Sequence, residues 1–435
     1  MASILIATVP FTGHVHPGLP IARELVSRGH DVRWYTAAKY RQQIERTGAR
    51  YVPLTHGLDV DDETLDSRFP ERLQYKGLAQ LKYDIRSIFI DMVPLALRDL
   101  EAELEREPAD IILTDNAFAT PALMKERRPE LKWAVFGISV LTMSSIDTAP
   151  FGLSMMPDAS PLGRLRNRIL NWSIDNVVFR SEKQHYQKVR RQLGLPETKR
   201  GLFDAVRSAD VILQSSVEAF EFPRTDLPPT VKFIGPFLPG APTDWTPPGW
   251  WHELDAANRP VVLVTQGTIA NDYDDLLRPA IRALAKEDVF VVVTTGSRPA
   301  SEIGIEPLPS NVRVEQFIPY ARLMPKVALL LTNGGYGSIQ IALAHGVPVV
   351  ASGKSEEKPE IANRVKWSGV GIGLHEKRLT SVQVTNAVRE VLDAPHYRER
   401  AEAMQREIAR TNAPRTAAEF IEELAGTEER NEVAA

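Results

Sequence analysis

The chain is predicted to fold into two doubly wound α/β domains that face each other across a cleft. Its 435 residues exceed the roughly 100 to 200 residues of an ordinary single domain. Short apolar runs of strand length alternate with amphipathic stretches in both halves. Between the halves, eight prolines fall within residues 221–250. These observations predict a first domain at 1–220, a linker at 221–255, and a second domain at 256–410.

The first domain opens with an apolar strand at 3–9, a glycine-containing turn and an amphipathic helix at 17–28. A strand that is buried on both faces has a continuous apolar sequence. Repeated units of such a strand followed by a helix therefore predict a parallel sheet covered by helices. Residues 55–95 and 139–200 have fewer regular signals and are interpreted as insertions at one face of the sheet. The alternation continues through the segments 31–36, 39–47, 50–53, 110–113, 117–127 and 132–136.

The second domain repeats the alternation after the proline-rich segment. Open parallel sheets bind ligands beyond the carboxyl ends of their strands, so we expect the chemistry to lie between the domains. Residues 411–435 are predicted to form a C-terminal helix and tail that packs back on the first domain. The strands and helices expected in the second half lie at 261–265, 272–286, 289–295, 312–317, 327–332, 336–345, 347–352, 380–392, 394–411 and 415–424.

Charge and composition exclude several classes of function. The chain has 52 Lys and Arg against 56 Asp and Glu, a net charge of −4, which does not favour a nucleic-acid partner. It has no cysteine, which excludes disulfides, thiolate catalysis and thiolate metal sites. No window reaches the roughly 20 apolar residues that span a bilayer. We therefore expect a cytoplasmic protein without a membrane span, present as a monomer or a homodimer.

A histidine follows the first predicted strand, in the segment GHVHP at 13–17. Imidazole changes protonation near neutral pH, so His14 is a candidate general base. A solvated or helix-capping histidine is the alternative interpretation. His16 has the same ambiguity, and two histidines so close together can also ligate a metal, but no third ligand is evident.

Asp115 ends another predicted strand, in the segment LTDNAF at 113–118. If the two strand ends meet where the strand order reverses, its carboxylate can hold the far nitrogen of His14 and stabilise the imidazolium. Aspartate is also favoured at the N-cap of a helix, and a helix is predicted near Ala117. The sequence leaves both roles open.

A glycine-rich turn, LTNGGYGS at 331–338, joins an apolar strand to a helix. Glycine lets a ligand approach the backbone closely, and free N–H groups at a helix N-terminus favour phosphate. The turn is neither a Walker loop nor a GxGxxG dinucleotide fingerprint. It favours an anion site, although similar turns occur without a ligand.

Two further segments offer hydrogen-bonding groups. Thr268 follows the strand at 261–265 and can donate its hydroxyl to a phosphate. Glu357 and Lys358 precede a helix and can bond sugar hydroxyls. Both segments are equally compatible with ordinary turns and caps.

Taken in this order, the segments resemble the nucleotide-sugar-dependent glycosyltransferases of family 1, which have the GT-B fold. The resemblance covers most of the chain and is strongest at 317–373. That stretch is similar to the family's donor-binding signature. It contains an aromatic-x-Pro, the glycine-rich turn, a Gly-Val-Pro, an acidic-polar-Pro and a closing Gly-Val-Gly.

The resemblance implies a role for each matching residue. His14 is the general base that deprotonates the acceptor, and Asp115 is the acid that pairs with it. Phe317 stacks on the nucleobase in place of the usual tryptophan, and Ile318 bonds the base through its backbone. The residues implied around the diphosphate and the donor sugar are Thr268, Gly335, Gly337, Ser338, Glu357 and Lys358.

Three positions depart from the family pattern. Asn333 stands where the family commonly has histidine; it can donate to a phosphate oxygen but carries no charge. Ile341 replaces a glutamate that often bonds the ribose hydroxyls, so the neighbouring Gln340 is expected to substitute. Lys358 replaces glutamine and brings a cation near the sugar. These departures leave the nucleobase and sugar open, with a UDP-glucose-like donor expected first and dTDP-sugars next.

The resemblance implies an inverting glycosyltransferase that requires no metal and no bound cofactor. It would move a sugar from a nucleoside-diphosphate sugar to a hydroxyl of a phenol, flavonoid, macrolide or polyketide. The alternatives are a nucleotide-sugar epimerase of the same architecture and a catalytically weak nucleotide-sugar-binding partner protein. A dinucleotide-dependent oxidoreductase is disfavoured because GxGxxG is missing.

The acceptor pocket is expected in the first domain and its insertions. Large apolar side chains there suit a hydrophobic acceptor, although each one taken alone is also typical of a core. The candidates are Phe11, Phe89, Met92, Phe118, Met143, Phe151, Met155 and Met156.

Overall fold

Two α/β domains make up the protein, each built on one parallel sheet. The structure is a computed structural model and describes residues 1–426 except 241, 243, 267–271, 297, 354–356 and 377. The predicted fold class is confirmed, because each sheet is covered by apolar clusters on both faces.

The sheet of the first domain has seven strands within the described residues. They are β1 (Ser3–Ala7), β2 (Asp31–Tyr35), β3 (Arg50–Val52), β4 (Ile111–Asp115), β5 (Trp133–Phe136), β6 (Val211–Gln214) and β7 (Val231–Phe233). Their order is β3-β2-β1-β4-β5-β6-β7, so the order reverses between β1 and β4. Ile4 and Ile6 pack on one face of this sheet and Leu5 on the other, which explains why the strand is a continuous apolar run.

The sheet of the second domain has six strands within the described residues. They are β8 (Val261–Thr265), β9 (Phe290–Thr294), β10 (Val312–Glu315), β11 (Leu329–Thr332), β12 (Val349–Ser352) and β13 (Gly371–Leu374). Their order is β10-β9-β8-β11-β12-β13, with the reversal between β8 and β11. Leu263 packs on one face and Val262 and Val264 on the other.

Helices cover both sheets. In the first domain they are α1 (Thr12–Val15), α2 (Gly18–Ser27), α3 (Arg41–Glu45), α4 (Leu65–Arg68), α5 (Leu78–Asp84), α6 (Val93–Arg106), α7 (Thr120–Arg127), α8 (Pro161–Ser173) and α9 (Arg180–Gln192). After the linker come α10 (His252–Ala256), α11 (Leu277–Leu284), α12 (Tyr320–Leu323), α13 (Tyr336–Ala344), α14 (Lys358–Ser368), α15 (Ser381–Asp393), α16 (Pro395–Ile408) and α17 (Ala413–Ala425). None of the described helices has the length and apolarity that a membrane crossing requires.

The proline-rich segment contributes a strand to the first sheet, which corrects the boundary expected at 220. β7 lies within 221–255 and pairs in parallel with β6, with Leu213 opposite Lys232. A strand of three residues among prolines is too short to give a pattern in the sequence. Upstream of it, Val217 and Phe220 already pack in the core of the second domain.

The last helix crosses back to the first domain. α17 packs against α2 and buries Ala417 and Ile421 in the same apolar cluster as Ile21. Arg28 Nη1 donates to Glu422 Oε2 at 2.9 Å, and His30 Nε2 lies 2.8 Å from Glu422 Oε1. The C-terminal segment lies beside the linker strand β7, because Nζ of Lys232 is 5.9 Å from the ring centroid of Phe420 in α17.

Candidate active site

The carboxyl edges of the two sheets face each other. Gln214, the last residue of β6, donates through Nε2 to the hydroxyl oxygen of Tyr336, 3.1 Å away. Tyr336 opens α13, which follows β11, so this bond joins strand ends of both sheets. The loops that follow the strands therefore line the space between the domains, which is where open α/β sheets bind ligands.

His14 lies in α1, just beyond the carboxyl end of β1. Because β1 pairs with β4, this position is next to Asp115, the last residue of β4. His14 Nδ1 is 3.0 Å from Asp115 Oδ1. An ionised carboxylate only accepts hydrogen bonds, so this contact favours the neutral tautomer of His14 that has its proton on Nδ1 and its lone pair on Nε2. In the part of the chain that the structure describes, Nε2 has no hydrogen-bond partner, so it is available to accept a proton.

Asp115 is fully buried and firmly held. The backbone N–H of Val9 donates to Oδ2, and that of Ala117 donates to Oδ1, each at 2.8 Å. α7 begins only at Thr120 and has Ala119 as its N-cap, so Asp115 does not cap it. Of the two roles that the sequence left open, the structure shows the pairing with His14.

The second histidine of this segment has a different neighbour. The His16 ring lies edge-on to Tyr40, with ring centroids 6.4 Å apart. Across the described ranges, no group of three or more His, Asp or Glu side chains is placed to hold a metal ion.

An apolar cluster adjoins His14. The Phe11 ring lies edge-on to the imidazole with centroids 6.0 Å apart, and it packs with Val9 and Ile88. Phe118 is partly buried against the same cluster. Apolar walls with a few polar groups are typical of small-molecule sites. This cluster is therefore the candidate acceptor wall.

The other predicted acceptor residues separate into groups. Phe89, 36% exposed, and the half-buried Met155 keep part of their surface accessible. Phe151 instead packs against the core of the second domain. Met143 is buried with Trp133 in a core cluster of the first domain, so it is a core residue and not a wall of the acceptor site. The side chains of Met92 and Met156 are half-buried.

The glycine-rich turn connects β11 to α13. Gly334 has φ +90°, and a Cβ added there would lie 3.3 Å from the Cβ of Lys358, so glycine is required. Gly335 is the N-cap residue of α13 and supplies no side-chain hydrogen bond to it. The first N–H groups of a helix have no partner inside the helix, so this end can bind an anion.

The residues that follow leave room at this end of α13. No atom within the described residues lies within 4 Å of a Cβ added at Gly337. The Ser338 hydroxyl donates to the Gly335 carbonyl oxygen at 2.8 Å. Asn333 precedes the turn and is buried.

The N-terminal end of α14 lies next to the glycine-rich turn. Glu357 is its N-cap residue, and Lys358, which is buried, packs its stem against Gly334 and Gly353. The structure thus brings the predicted sugar-binding pair next to the predicted diphosphate turn. Thr268 lies outside the described residues.

Phe317 follows β10 and is the exposed aromatic residue of this domain's carboxyl edge, with 68% of its surface accessible. The side chain of Ile318 is buried in the domain core, which leaves only its backbone for a ligand. Phe317 therefore presents a ring on which a planar base can stack.

Gln340 is placed differently from the expectation. Its side chain is buried and donates through Nε2 to Ser216 Oγ at 3.0 Å. The amide of Gln340 thus joins α13 to the segment after β6. This position of the side chain gives no support to the expected bond between Gln340 and a ribose.

Sequence reasoning missed a set of contacts that join α14 to the linker and to the first domain. Arg364 Nε donates to Glu221 Oε1 at 2.7 Å, and both side chains are almost fully buried. Glu360 and Asn363 on the same helix bond the backbone of the first domain near Ser154. The sequence does show these charged and amide residues at helical spacing. Such a pattern usually marks the solvated face of a helix, so it did not indicate a buried contact.

Known proteins are similar to this chain over almost its whole length, and one family model matches part of its second half. The family model described as "Erythromycin biosynthesis protein CIII-like, C-terminal domain" matches residues 279–424. A 4'-demethylrebeccamycin synthase from Lentzea aerocolonigenes is 46% identical over 424 residues, covering 97% of this chain and 99% of the relative. UDP-glycosyltransferase 2 from Phaeomoniella chlamydospora is 34% identical over 437 residues, covering 97% of this chain and 95% of the relative.

The fold also matches a solved structure. The glycotransferase of kitacinnamycin aligns with a TM-score of 0.74 and 23% identity, covering 97% of this chain and 98% of that chain. By its full-length similarity to named glycosyltransferases, the chain belongs to the nucleotide-sugar-dependent glycosyltransferases of family 1, in the natural-product and UDP-glycosyltransferase group with the GT-B fold.

Proposed function

We propose that this glycosyltransferase moves a sugar from a nucleoside-diphosphate sugar to a hydroxyl of a small hydrophobic acceptor, with inversion at the anomeric carbon. The observation that carries this proposal is the His14–Asp115 pair with its 3.0 Å bond. The pair lies at the carboxyl edge of the first sheet, and that edge meets α13 of the second domain through Gln214 and Tyr336. A base on one side and an anion-binding helix end on the other suit a direct displacement.

In the proposed reaction His14 Nε2 accepts the proton of the acceptor hydroxyl. The oxygen then forms a bond to the anomeric carbon while the bond from that carbon to the diphosphate oxygen breaks. The proton remains on the imidazole, whose positive charge is stabilised by the carboxylate of Asp115. Because the carboxylate is held by two backbone N–H groups as well, it keeps the ring in place during transfer.

The leaving nucleoside diphosphate carries the developing negative charge. The uncapped N-terminus of α13 and the amide of Asn333 are the groups that would meet this charge. Such preorganised donors stabilise the leaving group without a divalent cation.

Relatives support a UDP-sugar as the donor, since UDP-glycosyltransferase 2 is 34% identical across almost the whole chain. Phe317 supplies the ring for the base, and Glu357 with Lys358 supplies the groups for the sugar hydroxyls. Holding both substrates between the domains would supply further rate enhancement by orientation.

A hydrophobic natural product is the proposed acceptor. Phe11 and Phe118 form an apolar wall beside His14. The relative named 4'-demethylrebeccamycin synthase suggests the aglycone of that product as a first probe.

The direct test is mass spectrometry of products from UDP- and dTDP-sugars incubated with phenols, macrolide aglycones and the rebeccamycin-type aglycone. The proposal predicts a mass gain of one sugar and release of nucleoside diphosphate only when acceptor is present. An epimerase would change the sugar without an acceptor, and a binding protein would leave both substrates unchanged. Either of those outcomes across the panel would reject the proposal.

Phe317→Ala is expected to raise the dissociation constant of the UDP-sugar about tenfold, because stacking of one base on an aromatic ring contributes about 1–3 kcal/mol. Isothermal titration of donor without acceptor measures it. Trp172→Ala, which removes a 62% exposed aromatic from the first domain, is the control and should bind donor normally. Equal dissociation constants in the wild type, Phe317→Ala and Trp172→Ala would show that Phe317 does not stack on the base.

Dialysis against EDTA is expected to leave the rate of transfer within about twofold of the untreated enzyme, since leaving-group charge is met by backbone and side-chain donors. The rate is measured before and after dialysis and again after added Mg²⁺. A tenfold loss that Mg²⁺ restores would contradict the metal-independent mechanism.

A further inference from the structure

A segment of the first domain is held by the helix that carries the predicted sugar-binding pair. The backbone N–H groups of Gly152 and Ser154 both donate to Glu360 Oε1, at 3.0 and 2.7 Å. Asn363 Nδ2 donates to the carbonyl oxygen of Ser154 at 2.6 Å. Three hydrogen bonds thus join α14 to this segment across the domain boundary.

The two side chains on α14 are buried in this contact. Glu360 is 6% exposed and Asn363 is 4% exposed. The second carboxylate oxygen of Glu360 lies 3.4 Å from Nη1 of Arg364, which also forms the buried ion pair with Glu221. One oxygen of Glu360 therefore serves the segment of the first domain, while the other has a cation beside it. This arrangement allows the charge to remain buried.

The segment adopts a strained backbone where it is held. Ser154 has φ +51° and is the one residue other than glycine with positive φ among those that the structure describes. Such a conformation persists only when surrounding contacts impose it, and outliers of this kind concentrate at functional sites. Here the imposing contacts come from Glu360 and Asn363 of the other domain.

The same helix connects the predicted sugar-binding pair with this segment. Its first turn contains Lys358, next to the glycine-rich turn, and its N-cap is Glu357. Glu360, in its next turn, accepts hydrogen bonds from the segment that carries Phe151 and Met155. A displacement of α14 would therefore also displace this segment.

We propose that Glu360, assisted by Asn363, is a positioning residue that places the segment 150–156 against the acceptor when the domains are closed. This inference rests on the proposed function, because it assigns the segment a part in acceptor binding. In this arrangement the held segment would help to exclude water from the bound donor. Loss of Glu360 would open a route for donor hydrolysis.

Steady-state kinetics of Glu360→Ala tests this role. The acceptor KM should rise about tenfold, and the fraction of donor lost to water should rise several-fold, while the donor dissociation constant stays within about twofold. Glu360→Gln keeps an oxygen that accepts both N–H groups, so its acceptor KM should stay within about threefold of wild type. Lys366→Ala, on an exposed position of the same helix, is the matched control.

Amide hydrogen exchange gives a readout independent of turnover. Gly152 and Ser154 should exchange faster in Glu360→Ala than in wild type, and near the wild-type rate in Glu360→Gln. If Glu360→Ala does not fold, Asn363→Ala is measured instead, with a smaller rise in acceptor KM and faster exchange in the segment expected.

Unchanged acceptor KM, hydrolysis and exchange in the folded variant would overturn the positioning role. A rise in donor dissociation constant equal to that in acceptor KM would also overturn it, because the defect would then lie in α14 itself. A wild type that forms no glycoside would reject the proposed function; the exchange comparison would then still decide whether Glu360 holds the segment.

Discussion

His14→Ala is expected to lower kcat for sugar transfer about 10³-fold and to leave the dissociation constant of the donor within about twofold. The variant lacks the Nε2 atom that accepts the proton in the proposed reaction, and Asp115 is too deeply buried to replace it. Donor affinity should persist because the proposed donor-binding residues lie in the second domain. Fixed-time assays of glycoside formation measure kcat, and calorimetric titration with donor measures the dissociation constant.

His16→Ala is the matched control for this variant. His16 lies two residues away on the same turn, but its ring packs on Tyr40. Its rate should stay within about threefold of wild type. A His14→Ala enzyme that retains more than a tenth of the wild-type kcat, or equal losses in both variants, would contradict the assignment of the base.

Arg364→Met is expected to lower the free energy of unfolding by about 3–5 kcal/mol, because removal of one partner leaves a buried charge uncompensated. Arg364 is 2% exposed and Glu221 is 1% exposed, and two nitrogens of the guanidinium donate to the carboxylate at 2.7 and 3.1 Å. Its guanidinium carbon also lies 4.2 Å from the ring centroid of Phe222. Calorimetry should show a Tm lowered by about 3–6 °C.

Two further variants separate this effect from a general loss of packing. Glu221→Gln combined with Arg364→Met should recover part of the lost stability, since neither charge of the pair is then left alone. Arg389→Met breaks an exposed pair with Glu287 and should change the free energy of unfolding by less than about 1 kcal/mol. Equal losses in Arg364→Met and Arg389→Met would contradict the account of the buried pair.

The two sheets were predictable because their signal is local. Apolar runs such as 261–265, buried on both faces, alternate with amphipathic helices, and this period is present in the sequence itself. The pairing of His14 with Asp115 could be predicted only if the strands that carry them were assumed to be neighbours in the sheet. β1 and β4 are about a hundred positions apart, and their adjacency is a property of the doubly wound topology.

The features that escaped prediction depend on contacts between distant segments. β7 is three residues long, so it has no period to detect. Met143 has the same apolar side chain whether it lines a pocket or fills a core, and only the packing against Trp133 decides. The hydrogen bond that the N–H of Gly152 donates to Glu360 joins positions 208 apart, and nothing in either local sequence indicates the other.

Direct displacement at the anomeric carbon is the central claim, and NMR of the purified glycoside tests it. With an α-linked nucleoside-diphosphate glucose as donor, the coupling of the anomeric proton should identify a β-linked product. An α-linked product would contradict the account, because retention requires a different route from the attack of a His14-activated hydroxyl opposite the leaving diphosphate.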